Sequence, residues 1–206
     1  MTRRASIYIL LFCLILVFPV HAKTVREFWL TMPDSVLHYL DKSKRTEMVD
    51  YVDMQVKASA KNVLKGESVI DTLTNEYAKI TLNCSSELQI RRLWNTSGDS
   101  LFCVLKTLKG PLEDSEIALY TQDWVKTDDV KIDVSSLVAK PDSMNEETFQ
   151  ELSSLMDVKL VGAQLMLDED ALVVNLSVPM LTKEESERLK AVLLQRKLKW
   201  NGQNFK

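Results

Sequence analysis

The sequence predicts an α+β fold, mostly antiparallel sheet with helices packed on one face. Three observations predict it. Runs of alternating apolar and polar residues are separated by short turn signals. Apolar stripes at helical spacing follow capping residues. Finally, 46% hydrophobic and 27% charged residues in a chain of 206 give a globular composition, neither disordered nor fibrous.

The first 22 residues are read separately. Thr2-Arg3-Arg4 is a short basic start, Ile7 to Val17 is almost wholly apolar, and Pro19 breaks any helix. Val20-His21-Ala22 offers short residues at −3 and −1, as a signal peptidase requires, so residues 1–22 are expected to be a signal peptide cleaved between Ala22 and Lys23. The apolar run is short for a membrane span, and Phe12 before Cys13 is too large for lipoprotein processing. The mature chain is expected to be exported and not to span the membrane.

The mature chain divides into an N-terminal half over 23–126, a connecting segment over 127–142 and a C-terminal half over 143–206. In the first half, Pro33-Asp34 is expected to open a short helix carrying Val36, Leu37 and Leu40. Asp41 or Ser43 then caps a second, with Met48, Tyr51 and Val52 on one face, fading through Val56–Ala60 and ended by Gly66. A β-meander follows over Ala78–Cys84, Leu88–Trp94, Leu101–Leu108 and Ile117–Val125. Its turn at Asn95-Thr96-Ser97-Gly98-Asp99 is rich in residues that tolerate positive φ or bond their own backbone. Gly110-Pro111 breaks the third strand.

The connecting segment is polar, with Asp128-Asp129 and Pro141, although Val130–Val134 has the pattern of a short edge strand. The second half reads α-β-β-α-β. Ser143 with Glu146 resembles a capping box before Phe149, Leu152 and Met156. Val158–Leu167 and Leu172–Val178 are strands around the acidic turn Asp168-Glu169-Asp170. Thr182 with Glu185 forms another capping box before Leu189, Val192 and Leu193, and Leu198 with Trp200 closes the chain as a strand. Both halves end a strand with Trp (Trp124, Trp200), the one hint of two related halves; residue-level similarity is too thin to carry a duplication.

Charge and motifs exclude more than they assign. Without Arg3 and Arg4 the mature chain carries 24 Lys and Arg against 29 Asp and Glu, a net charge of −5. That is a poor match for nucleic acid. Arg91-Arg92 and Arg196-Lys197-Leu198-Lys199 are local and are read as solvated strand faces. His38 is the one histidine of the mature chain and is read as an ordinary helix residue. No Cys pair has metal-ligand spacing, no Gly-x-Ser-x-Gly elbow occurs, and no two glycines lie close enough to cradle a phosphate. No cofactor or metal is expected, nor any catalysis by a side-chain nucleophile. Adjacent acids at Glu146-Glu147 and Glu184-Glu185 are explained by helix first turns, where negative charge favours the dipole. Cys84 and Cys103 are placed too far apart in the meander to bond to each other: Cys103 is expected opposite Arg92, Cys84 near Glu87 or Leu88.

Phe28-Trp29-Leu30-Thr31-Met32-Pro33, Tyr39-Leu40, Arg45 and Met48-Val49-Asp50, followed by Gly110-Pro111, Asp114-Ser115, Tyr120 and Trp124, together form a distinctive order. It resembles an exported family of unknown function from Bacteroides-type bacteria, the domain of unknown function 3256, over most of the mature chain. The resemblance implies a bacterial envelope protein and supplies no catalytic residue. It also implies a class of O-glycan attachment at Asp-Ser/Thr before an aliphatic residue, Thr or Met, which makes Ser35, Thr72, Ser100 and Ser143 candidate sites. The same tripeptides also cap helices and make turns.

The functional expectation is a non-catalytic envelope protein that binds a protein or glycan partner, with Trp29 and Trp94 read as core. The alternative is a carboxylate-based glycan hydrolase drawing on Asp50, Asp53, Asp114, Glu116 or Asp123, since two acids suffice for that reaction. A third reading has an exposed edge strand adding to a partner's sheet. N-terminal sequencing of protein recovered from the native envelope is expected to begin at Lys23; an intact Met1 would overturn the cleavage assignment.

Overall fold

The structure, a computed structural model, describes residues 22–38 and 40–206; the signal-peptide assignment otherwise falls on 1–21, outside the described residues. Among the described residues, two antiparallel sheets and four short α-helices form three layers. The first sheet has seven strands in sequential order: β1 (Ser59–Lys61), β2 (Glu67–Leu73), β3 (Tyr77–Asn83), β4 (Ser86–Trp94), β5 (Ser100–Lys109), β6 (Glu113–Tyr120) and β7 (Lys126–Asp129). The second has β8 (Leu160–Leu165), β9 (Ala171–Ser177) and β10 (Arg196–Lys199), with β9 central. The α+β, mainly antiparallel prediction holds. The two parts of the chain are unequal, seven strands against three.

Helix α1 (Val25–Leu30) lies where the sequence reading placed nothing. Thr24 and Glu27 cap it reciprocally, and Val25, Phe28 and Trp29 bury one face. It is short because Pro33 forbids helical geometry to Met32. The expected helix from Pro33 is instead a chain of turns, with Leu37 and Leu40 buried. Helix α2 (Lys42–Asp53) is capped by Asp41, whose carboxylate accepts from Lys44 N at 2.9 Å. Its buried face is Arg45, Met48 and Val49, one turn earlier on the same face as the expected Met48, Tyr51 and Val52 stripe, whose Tyr51 and Val52 pack partly buried against the same core.

Arg45 ties these segments together. It is fully buried, and its guanidinium donates to Leu40 O at 2.6 Å, to Met32 O, and to Asp34 Oδ1 at 3.0 Å, with its centre 6.0 Å from the Trp29 ring. Two main-chain carbonyls of a non-helical loop thus find buried donors, which such groups require.

Strand β4 is covered on both sides, and alternation sorts its residues. Leu88 and Ile90 join Ile80, Leu82, Phe102 and Val104 beneath α1 and α2. Leu93 faces the other way, with Cys103, Leu105 and Ile117, into a core shared with Leu165, Leu172 and Val174 of the second sheet. Helices α3 (Glu146–Ser154) and α4 (Lys183–Leu189) enclose a third cluster around Leu152, Val178, Leu189 and Val192. Asn145 caps α3, not Ser143; the Thr182–Glu185 capping box of α4 is present as predicted.

The segment after β6 differs from the expected linker. β7 pairs with β6, a 3-10 turn spans Val134–Leu137, and Leu137 is fully buried. The expected edge strand at Val130–Val134 is displaced to Lys126–Asp129. Cys103 pairs with Arg91, one residue from the expected Arg92, because Trp94 pairs with Ser100 at the end of the hairpin. Cys84 lies in the tight β3–β4 turn and is exposed, not inside a strand; both thiols are free, and burial pushes that of Cys103 upward. Among the described residues no helix is long and apolar enough to cross a membrane.

Arg91 and Arg92 are not solvated. Arg91 reaches the second sheet, donating to Asp170 Oδ1 at 2.9 Å and to Leu167 O at 2.5 Å. Gln89 Oε1 accepts from Leu165 N at 2.8 Å, and Ser115 Oγ accepts from Ala163 N at 3.0 Å. Beside them Glu87, 3% exposed, accepts from Lys109 Nζ and from Gln89 Nε2 at 2.6 Å, with Lys79 Nζ 3.3 Å away. Burial alone would raise the Glu87 carboxyl, but the hydrogen bonds from Lys109 and Gln89 and the charge of Lys79 outweigh it and hold it below the usual value. Burial, then the Glu87 charge, pushes the nearby Tyr77 phenol up to about 12.

Replacing Arg45 by Met should cost about 2–4 kcal/mol, since two buried carbonyls lose their donors. Asp34→Asn should cost under about 1 kcal/mol, because its carboxylate is largely exposed. Equal losses in urea unfolding would show that the ion pair, and not the carbonyls, matters. For Glu87 the sign follows from a depressed folded pKa. Its stabilisation is fully present above the unfolded value of 4.5 and is lost as pH falls through the depressed one. Glu87→Gln should therefore cost about 1–3 kcal/mol at pH 7, and urea midpoints of the two proteins should converge as pH falls through the depressed value. A gap independent of pH would refute this role.

Candidate functional site

Four connections meet at one end of the large sheet, on its helix side. The β4–β5 turn is built by Asn95, whose Oδ1 accepts from Ser97 N at 3.0 Å and Asp99 N at 2.8 Å. Gly98 takes φ +85°, which favours glycine. The C-terminal tail braces this turn from outside: Trp200 Nε1 donates to Trp94 O at 2.7 Å, and Thr96 N to Gly202 O at 3.2 Å. Gly202 is required there, since its φ is +93° and a Cβ would stand 2.8 Å from Thr96 Cγ2.

On the opposite side lies Lys23, near the start of the described residues. Lys23 N donates to Gln122 Oε1 at 2.8 Å, and Lys23 Nζ to Gln122 O at 2.9 Å and Asp123 Oδ1 at 3.0 Å. The β2–β3 turn adds Asn75 and Glu76, and Val25 N donates to Asn75 O at 2.9 Å. The β6–β7 turn is held inward by Trp124, stacked 3.7 Å from Phe28, which in turn stacks 3.9 Å from Phe102. Trp124 adopts φ +62°, and its indole N–H donates to Phe28 O at 3.1 Å.

Between these turns is a groove of about 590 Å³. Trp94 and Ser100, cross-strand partners at the end of the β4–β5 hairpin, contribute to its lining. The Trp94 indole is 44% exposed, with the Arg92 guanidinium centred 5.1 Å from its ring. Arg92 also clasps Glu76 through two nitrogens and donates to Lys23 O at 3.2 Å. Glu76 is thereby committed to a cation. The Ser100 hydroxyl is buried without a partner among the described residues. A buried hydroxyl left unpaired is costly unless something else meets it.

Of the candidate site residues named from sequence, Ala22 and Ser100 line this groove and the others fall elsewhere. His38 is exposed in a turn, not on a helix. Asp53 is paired with Arg26 and Asp123 with Lys23, while Asp50 lies on α2 and Asp114 and Glu116 on β6. Among the described residues no cluster of three His, Cys, Asp or Glu stands close enough to hold a metal ion. Of the candidate modification sites, Ser35 and Ser143 are exposed, Thr72 is half-buried beside the β2 bulge, and Ser100 is buried. Trp29 is core as expected; Trp94 is not. Its position pointed that way: it is the last residue before a five-residue turn, beyond the reach of the apolar pattern.

Comparison with known proteins completes the picture. A solved structure described as a domain of an uncharacterized protein from Porphyromonas gingivalis W83 is similar at a TM-score of 0.70. The two share 20% identity over 90% of this chain and 99% of that one, a likeness of fold. No curated protein matches the chain. The model of the family described as Protein of unknown function (DUF3256) matches residues 17–205, and the chain belongs to that family.

Proposed function

We propose that the protein is an exported, non-catalytic envelope protein that binds a glycan in the groove between Arg92, Trp94 and Ser100. The observation that carries this reading is the half-exposed Trp94 ring beside a buried, unpaired hydroxyl. A sugar presents an apolar C–H face that packs on an indole, and hydroxyls that need directional partners. Asn75, Asp99, Gln122 and Ser100 supply acceptors and donors around the ring. A site built to hydrogen-bond hydroxyls rejects ligands lacking them, because its own polar groups would be left unpaired. The groove volume is within the usual range for small-ligand sites.

Export is supported by the apolar run before Pro19 and by the short residues at −3 and −1 in Val20-His21-Ala22. The hydrolase alternative also points to this groove, since Glu76 and Asp99 both line it. Arg92 occupies both oxygens of Glu76, which leaves Asp99 as the available acid and argues for binding without turnover.

The test is titration of the mature protein with an array of bacterial cell-wall and host oligosaccharides. Trp94→Ala should weaken binding about tenfold or more without moving the unfolding midpoint. Retention of affinity would sink the reading. Release of new reducing ends, abolished by Asp99→Asn, would replace it with the hydrolase.

A further inference from the structure

We infer that the groove selects neutral or amino-bearing sugars and refuses acidic ones, with Asp99 as the residue that sets the choice. This rests on the glycan reading of the groove and specifies it. Among the described residues that line the groove, three carry charge: Glu76, Arg92 and Asp99. Two negative groups against one positive leave that lining with a net charge of −1. The positive group is also engaged already. Arg92 clasps Glu76 through Nε and a terminal nitrogen, donates through the other terminal nitrogen to Lys23 O, and lies against the Trp94 ring. A ligand carboxylate would take Arg92 only by expelling Glu76, which would then stand in the groove without its cation. The Lys23 ammonium is held in turn by Gln122 O and Asp123.

Asp99 is the opposite case. It is exposed and precedes the buried Ser100, whose hydroxyl lacks a partner among the described residues. Among those residues its carboxylate meets one side-chain donor, Asn95 Nδ2, at the long distance of 3.4 Å, and no cation. Its main chain closes the β4–β5 turn, accepting from Asn95 N and donating to Asn95 Oδ1. The turn thus fixes the backbone and leaves the carboxylate oxygens to a ligand. A carboxylate accepts hydrogen bonds and donates none. It takes sugar hydroxyls in charge-assisted bonds, which are stronger than neutral ones, and it attracts an ammonium. Toward a carboxylate, sulfate or phosphate on a sugar stacked on Trp94 it offers like charge and no proton. Between protein walls that repulsion exceeds its value in open water.

The experiment titrates the mature protein with an oligosaccharide array arranged in pairs that share a backbone and differ in charge. The pairs are a glucan with its primary alcohols kept or oxidised to carboxylates, a galactan treated alike, and a chitin oligomer with its acetyl groups kept or removed. Within a pair that binds, the neutral member should bind about tenfold or more tightly than the acidic one. The deacetylated chitin should bind at least as tightly as the acetylated form. Raising the salt should narrow the neutral-to-acidic gap. Asp99→Asn keeps the size of the side chain and the main-chain bonds of the turn; it should bring neutral and acidic members within about threefold at an unchanged unfolding midpoint. Equal or tighter binding of an acidic member, or a gap that persists in Asp99→Asn, overturns the inference and leaves the glycan reading standing. If no member of the array binds, the glycan reading falls and the choice of sugar falls with it.

Discussion

The hydrogen bonds from large-sheet side chains to the backbone of β8 are the interaction on which the three-layer arrangement depends. β8 is the edge strand of the small sheet, and its outward amides would be buried without partners when the sheets close. Gln89 and Ser115 accept from Leu165 and Ala163, and Arg91 donates to the carbonyl of Leu167 where the strand has ended. An unpaired buried amide costs about 1–3 kcal/mol, so a sheet docked out of register would pay at each position. These bonds make apolar packing specific, and they remove an edge that could template pairing with another chain. The other edge of that sheet, β10, carries Arg196, Lys197 and Lys199, and Lys199 pairs with the returning C-terminal Lys206. Sheet augmentation is thus discouraged at both sides of the small sheet.

The helix side of the large sheet follows a different rule. There the organising group is the Arg45 cation, which substitutes for regular secondary structure in the loop from Met32 to Leu40. With the loop fixed, α1 can present Phe28 to both Phe102 and Trp124, and the aromatic stack draws the β6–β7 turn toward the chain start. The groove is a product of these placements. Each of its walls is a connection between rigid elements, as binding surfaces commonly are.

The parts of this architecture legible in the sequence were those set by local chemistry. Alternation in β3, β4, β5 and β9, the Asn95–Asp99 turn and the Thr182–Glu185 capping box depend on residues a few positions apart. Helix α1 escaped because six residues give too little periodicity. β1 and β2 escaped because Gly66 was read as the end of a fading helix, whereas Asn62 builds a turn there by accepting from Leu64 N and Gly66 N and ties it to Leu82 O on β3. Arg92 was misjudged because it meets Glu76 and Lys23, and Trp94 because it sits half-exposed at the strand end, but Arg91 for a different reason. A strand buried on both faces carries polar residues inward when a second layer supplies partners, and that layer lies about 75 residues further along the chain. The groove was invisible for the same cause: Trp94 and Ser100 could be paired from the hairpin, but Gln122 and Lys23 could not be brought to them.

The aromatic and polar ties at the groove end also set an order of assembly. The β3–β6 meander closes through neighbouring hairpins, whereas Lys23 waits for Gln122, Phe28 for Trp124 and Trp94 for Trp200, separations of 99, 96 and 106 residues. Closing such long loops is entropically costly until a framework exists to receive the ends. A chain that emerges N-terminus first must therefore hold its first segment uncommitted until more than half of its length has followed. Both termini then dock as late, separate steps onto a preformed sheet.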